Sequence, residues 1–453
     1  MKHKRLQLSA SQILALGFLL SILVGTLLLL LPIATKEGET TFLNALFTST
    51  SATCVTGLVT YDTNTHWSLF GQIVIICLIQ LGGLGFMTFV TVLFNILGRN
   101  MGLAKSKLLM LSAGESNRNE IKRVFKRILL GTLLFESVGA ILLSIRFIPY
   151  MGVGKGIYYS VWHSVSAFCN AGFDLMGGVF GSETFVSLTN FTVDPLVCLT
   201  VAGLILIGGL GFCVWDNVLE CKFKIRKFNL HTKIVLTVTG VLLVVPTFLF
   251  FIFERANPDY TQFNFWEKLL VSFFNSVTPR TAGFNTIDFS HLTDSSYLLM
   301  LMLMFIGGSS ASTAGGIKIT TTFVIIMGIL SVFRGNRDIE LGKRRIHNSL
   351  LRQALAVFVS CLFIILTATL LICAIERDNS VATFQAVLFE TFSAMGTVGL
   401  SLNLTPTLSI ASKIILIMLM YAGRVGILTL GLAFGEKKDT SEIKKPIGNV
   451  LIG

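Results

Sequence analysis

Charge is scarce in this chain: Asp, Glu, Lys and Arg make up 13% of its 453 residues, while 53% are hydrophobic. A soluble domain carries about 25% charged residues, so a water-soluble enzyme is excluded and a polytopic membrane protein is indicated. Proline is sparse too, with 8 residues, and the 41 glycines sit inside apolar segments without a three-residue period. That pattern excludes collagen-like and disordered chains. The 8 cysteines form no CxxC pair, so neither zinc-site nor disulfide-framework spacing is present. No HExxH or GxSxG occurs, and Gly152-Val153-Gly154-Lys155-Gly156 lacks the spacing of a phosphate-binding loop. These absences leave no recognisable catalytic constellation, and no enzyme is expected.

Long apolar runs are what the chain does have. Eight of them, near 11–34, 70–97, 126–148, 193–218, 230–254, 297–333, 353–375 and 409–434, approach or exceed the roughly 20 residues needed to cross a bilayer. The first follows Lys2, Lys4 and Arg5 but is long enough for a retained span rather than a signal peptide. Eight crossings put both termini on one side. Of 36 Lys and Arg, 26 fall in five groups, at the two termini and in 99–127, 222–233 and 334–352, all on that side. The positive-inside rule makes that side cytoplasmic, and the net charge of +12 then reports orientation rather than nucleic-acid binding.

Between paired spans lie shorter apolar stretches, 42–52, 158–168, 266–277 and 382–394, each ending in a glycine-bearing loop. They suggest re-entrant elements, which are tolerated at membrane depth where they line an aqueous path; amphipathic helices outside the membrane are the competing reading. Four loops align on one glycine: Cys54-Val55-Thr56-Gly57-Leu58, Cys169-Asn170-Ala171-Gly172-Phe173, Arg280-Thr281-Ala282-Gly283-Phe284 and Gly396-Thr397-Val398-Gly399-Leu400. The glycines are 115, 111 and 116 residues apart. A second marker follows each loop: Gly82-Gly83-Leu84-Gly85, Gly208-Gly209-Leu210-Gly211, Gly307-Gly308-Ser309-Ser310 and Gly423-Arg424-Val425-Gly426. The chain therefore divides into four parallel units of helix, pore helix, loop and helix around one axis. Backbone carbonyls in such loops can replace a cation's hydration oxygens, and glycine permits the close packing and positive φ this requires.

On these motifs the chain resembles the Ktr/Trk/HKT superfamily of potassium transporters, in particular its bacterial KtrB-type membrane subunits, over about residues 10–434. The expected fold is an all-α polytopic membrane protein: four parallel M1-P-M2 repeats around a central pore, potassium-channel-like, with eight transmembrane helices and four re-entrant pore helices. Repeat boundaries fall at 1–98, 99–222, 223–340 and 341–434, with a cytoplasmic tail at 435–453. The resemblance implies potassium uptake, with a selectivity filter of Val55, Thr56, Gly57, Asn170, Ala171, Gly172, Thr281, Ala282, Gly283, Thr397, Val398 and Gly399. Glycine at all four filter positions goes with potassium. It also implies a homodimer in the bacterial cell membrane, docked on a separate cytoplasmic ring of KtrA-like nucleotide-binding subunits where ATP and ADP act. The expected cofactors in this chain are none beyond potassium as cargo. The basic loops face that partner or membrane lipid headgroups.

The third unit departs from simple repetition. As one straight helix, 297–333 would be about 55 Å long, well over the roughly 30 Å hydrocarbon core. Its small-residue centre, Gly307, Gly308, Ser309, Ser310, Ala311, Ser312, Thr313, Ala314, Gly315 and Gly316, is expected to break and serve as an intramembrane gate. Arg424 replaces a small residue of the other units, and an intramembrane Arg is functional by default; it is expected to hold the gate loop through carbonyls, with an acidic partner as the alternative. Lys318 is expected to snorkel toward the cytoplasm, Arg280 to brace its loop, and Glu390 to act as a hydrogen-bonded brace. Asp62, Asp174 and Asp288 follow loops and would draw cations to the outer mouth. Competing functions are a sodium-coupled secondary carrier, for which Glu136 is the conspicuous acid within a span, and a non-conducting scaffold.

Overall fold

The computed structural model describes residues 9–85, 118–181, 183–336, 338–341 and 344–434. The expected cytoplasmic tail, 435–453, lies outside the described residues. In chain order, α1 (Ala10–Leu29) is followed by α2 (Phe42–Cys54) and α3 (Leu69–Leu84). Next come α4 (Arg118–Met151), α5 (Val153–Phe168), α6 (Pro195–Leu210) and α7 (Phe212–Glu220). A third group is α8 (Leu230–Phe253), α9 (Phe265–Val277), α10 (Asp294–Phe305) and α11 (Ile319–Phe333). After a short hairpin, β1 (Ile339–Leu341) and β2 (Arg344–Ile346), the described residues close with α12 (Asn348–Ile375), α13 (Phe384–Gly396), α14 (Ile410–Val425) and α15 (Ile427–Phe434).

Helix starts follow from local chemistry. Ser9 and Asn264 form capping boxes with Gln12 and Glu267, and Asp194 caps α6 with Pro195 in its first turn. α1, α4, α8 and α12 are the described helices long and apolar enough to cross a membrane unaided. Leu20, Leu27, Leu134, Phe248, Phe363 and Leu370 project outward from them, as expected where the solvent is hydrocarbon.

The expectation that the spans outside 297–333 run without interruption is corrected on other helices. α3 ends at Gly85 (φ 81°), α6 turns through 88° into α7 at Gly211 (φ 95°), and α14 gives way to α15 at Gly426 (φ 87°). Only the third unit was expected to break, yet in the others too a helix ends at a positive-φ glycine at the matching place. In the third unit the interruption runs from Ile306 to Lys318 between α10 and α11.

Internal likeness extends to packing. A Cβ at Gly25 would meet Ser49 Oγ at 2.4 Å and Leu78 Cδ1 at 2.6 Å; one at Gly139 would meet Ser164 Oγ at 2.5 Å and Leu204 Cδ1 at 2.6 Å. Ser49 and Ser164 donate to the Ile22 and Glu136 carbonyls across these contacts. The short helices are thus held against the long ones by the same small-residue notch in the first two units.

Candidate functional site

Each of α2, α5, α9 and α13 leads into a loop whose residue two before the glycine is left-handed: Val55 (φ 57°), Asn170 (φ 60°), Thr281 (φ 67°) and Thr397 (φ 52°). Such a conformation in a β-branched residue costs about 1–3 kcal/mol, so the surroundings must impose it. They do so with hydrogen bonds of 2.8 Å from Thr56, Ala171 and Val398 N to the Ser51, Ser166 and Ser393 carbonyls. Hydroxyls complete the loops in two styles. Ser51 and Ser393 accept from Gly57 and Gly399 N at 3.0 Å, whereas Ser166 and Thr278 donate to the Phe173 and Phe284 carbonyls at 2.6 Å.

The four loops meet. A Cβ at Gly57 would lie 2.5 Å from the Ala171 oxygen, at Gly172 2.8 Å from the Ala282 oxygen, at Gly283 2.5 Å from the Val398 oxygen, and at Gly399 2.2 Å from the Thr56 oxygen. The last contact returns to the first loop and closes the ring. All four glycines have positive φ, between 69° and 95°, so both space and conformation require glycine here. The twelve residues expected at the site are brought together, and those other than glycine are fully buried. Above the ring, one cavity is lined by the four glycines with Asp62, Asp174, Asn285, Ser401 and Asn403. Asp288 is not part of that lining; it accepts from Ser290 N and caps a local turn.

Beneath the ring, the 307–316 segment forms a folded loop rather than helix. Gly307 N donates to the Ile317 oxygen at 2.9 Å and Ile319 N to the Gly308 oxygen at 3.0 Å, closing its base. It is stitched to the α6 elbow by Ser309 N to the Gly209 oxygen (3.0 Å) and Phe212 N to the Ala311 oxygen (2.8 Å). Arg424 donates through Nη1 to the Thr313 carbonyl and through Nη2 to the Gly82 carbonyl. It therefore ties the loop to α3, and it has no acidic partner among the described residues. Lys318 departs from expectation: instead of snorkelling, it bends back and donates to the Ala314 oxygen at 2.7 Å. Its charge lies with the loop because carbonyls there satisfy the ammonium.

Two braces also resolve. Thr405 donates to Glu390 Oε1, linking α13 to the segment beyond its loop. Arg280 braces its loop through the backbone, its carbonyl accepting from Asn170 Nδ2 at 3.2 Å, while its guanidinium reaches Thr239 on α8 at 3.4 Å. Glu136 accepts from Gln80 at 3.0 Å. The Asn170 contacts and the Lys318 bend had no signal in the sequence: both depend on which carbonyls the folded loops leave unpaired.

Long apolar helices with lipid-compatible flanks define an integral membrane protein, whose candidate site is the buried ring of glycine-lined loops. Residues 8–443 match the family model described as TrkH, cation transport protein, and the chain belongs to that family. It is 40% identical over 451 residues to the Ktr system potassium uptake protein B of Bacillus subtilis, covering 99% of this chain and 98% of the relative. It is 38% identical over 455 residues to the potassium/sodium uptake protein NtpJ of Enterococcus hirae, covering 100% and 99%. The fold is similar to that of the potassium transporter TrkH from Vibrio parahaemolyticus, with TM-score 0.73 and 18% identity over 96% of this chain and 86% of that one.

Proposed function

We propose that the chain mediates potassium uptake across the bacterial cell membrane, with the ring of four glycine loops as its selectivity filter. The observation that carries this reading is the closed circle in which the Thr56, Ala171, Ala282 and Val398 carbonyls each abut the neighbouring loop's glycine. Carbonyls replace hydration oxygens without the tight trapping of a buried carboxylate. The C-terminal ends of α2, α5, α9 and α13 lead into the ring, and their partial negative charge favours a cation. On this reading each unit is a span, a re-entrant helix and a broken span, giving eight crossings with both termini cytoplasmic.

The 307–316 loop is the gate, held shut by Arg424 and Lys318. Names of relatives support potassium as cargo, and the name "Ktr system" supports a multicomponent assembly. The partner in this proposal is a cytoplasmic nucleotide-binding ring responding to ATP and ADP, contacting a homodimer of this chain at its basic loops. Potassium and sodium influx into liposomes containing the purified chain, with Gly57→Ser alongside, tests the filter. Potassium-selective flux is expected, lowered at least tenfold and less selective in the variant. A folded Gly57→Ser protein with unchanged flux and selectivity removes the ring from the pathway.

A further inference from the structure

One buried side chain joins the gate loop to the glycine ring. Thr313, within the 307–316 loop, directs Oγ1 to the Phe168 carbonyl at 3.2 Å and to Asn170 Oδ1 at 3.3 Å. The other end of the same carboxamide, Nδ2, donates to the Arg280 carbonyl at 3.2 Å and to Thr281 Oγ1 at 3.4 Å in the third loop. Thr313 and Thr281 are 0% exposed and Asn170 1%. Gly208 leaves the room for this contact, since a Cβ there would stand 2.8 Å from Thr313 Oγ1 and 3.0 Å from Asn170 Oδ1. Of the four equivalent left-handed residues, Val55, Asn170, Thr281 and Thr397, only Asn170 carries both an amide donor and a carbonyl acceptor.

We infer that Asn170 is a positioning residue that couples the gate to ion binding in the ring. This rests on the filter and gate reading above. When the 307–316 loop leaves its closed position, Asn170 Oδ1 loses the Thr313 hydroxyl, one of the contacts that fix the carboxamide's orientation. The carboxamide then turns to find another donor, and its hold on Arg280 and Thr281, which immediately precede Ala282 and Gly283, changes with it. Linkage requires the effect to run both ways: gate position alters ion affinity, and ion occupancy alters gate position by the same factor. The shift expected is roughly 5-fold or more, at the lower end of such couplings.

The experiment measures the potassium concentration at half-maximal influx, the maximal influx and the potassium-to-sodium ratio in liposomes. The variants are Thr313→Val, Thr313→Ser, Asn170→Gly and the Thr313→Val/Asn170→Gly double. Glycine suits the left-handed backbone at 170. Thr313→Val is expected to raise maximal influx and shift the half-saturating concentration, and Thr313→Ser to restore both. In the Asn170→Gly background, Thr313→Val is expected to raise influx without moving half-saturation, because the shared contact is already gone. The inference is overturned if Thr313→Val leaves half-saturation and the ion ratio at wild-type values, or shifts them equally in both backgrounds. Should Thr313→Val not fold, Thr313→Ala carries the same comparison. Failure of the filter reading is distinguishable, because it shows as unaltered selectivity of Gly57→Ser in the same liposomes.

Discussion

At the residue scale, the glycines separate into those whose missing Cβ is occupied by something else and those with empty space around them. A Cβ at Gly82 would stand 2.0 Å from the Thr53 oxygen, whereas at Gly240, inside α8, nothing lies within 4 Å. Gly82→Ala is therefore expected to cost roughly 1–3 kcal/mol or more through overpacking, and Gly240→Ala to gain about 0.4–1 kcal/mol by restricting the unfolded chain. Thermal melts in detergent check both, and opposite signs are expected. A lower melting temperature for Gly240→Ala would contradict the open space around it. The ring glycines were legible in the sequence because four aligned at a near-constant period. The left-handed Val55, Thr281 and Thr397 were not, since β-branched residues argue against positive φ until the surrounding bonds are known. Lys318 was misplaced for a related reason: snorkelling is the default only when no nearer carbonyls are free.

Elements divide the same way. The lengths of three short helices, 13 residues each, were readable, because 10–14 apolar residues cannot cross a bilayer, whereas α5 starts at Val153 and runs 16 residues, longer than the apolar stretch 158–168. The breaks at Gly85, Gly211 and Gly426 were not, since glycine in an apolar helix serves close packing as readily as interruption. Arg424 bonds the 307–316 loop, the proposed gate, on one side and the carbonyl of Gly82, near the end of α3, on the other. Arg424→Gln is expected to raise partner-free potassium flux several-fold, and deletion of 307–316 by at least as much. Unchanged flux in a folded Arg424→Gln protein would show that the loop does not close the path. At the opposite end of the molecule, Glu376 ties α12 to α14 by accepting from Ser409 N at 2.8 Å, and also accepts from Asn379 Nδ2 at 3.2 Å. Burial pushes its carboxyl up, but hydrogen bonds from Ser409, Ser412 and Asn379 outweigh this and hold it down at about 2. A depressed carboxylate stabilises the fold above the ordinary Glu range near 4.3 and loses that contribution as pH falls toward its folded value. Melting temperature should thus drop between pH 4.5 and 2 more steeply in wild type than in Glu376→Gln. Parallel curves would assign the contact no role.

For the whole molecule, orientation decides what the ring can do. The cavity above the ring carries Asp62 and Asp174, while Lys222, Lys224, Arg226 and Lys227 precede α8 and Arg345 precedes α12. In the proposed orientation, positive-inside sorting turns the basic side to the cytoplasm, so the acidic mouth would concentrate arriving cations before the proposed filter, with the proposed gate loop behind it. Asp378, just beyond α12, shares the mouth's side, and Lys224, beyond α7, the basic side; both are exposed. With Cys221→Ser and Cys373→Ser removing the two partly exposed thiols near these positions, a membrane-impermeant maleimide applied to intact cells should label Asp378→Cys and leave Lys224→Cys unlabelled. Opening the membrane should expose the second. The reverse pattern would put the acidic mouth in the cytoplasm, where it would gather cations for export, and would remove both the uptake direction and the access of a cytoplasmic partner to the basic loops.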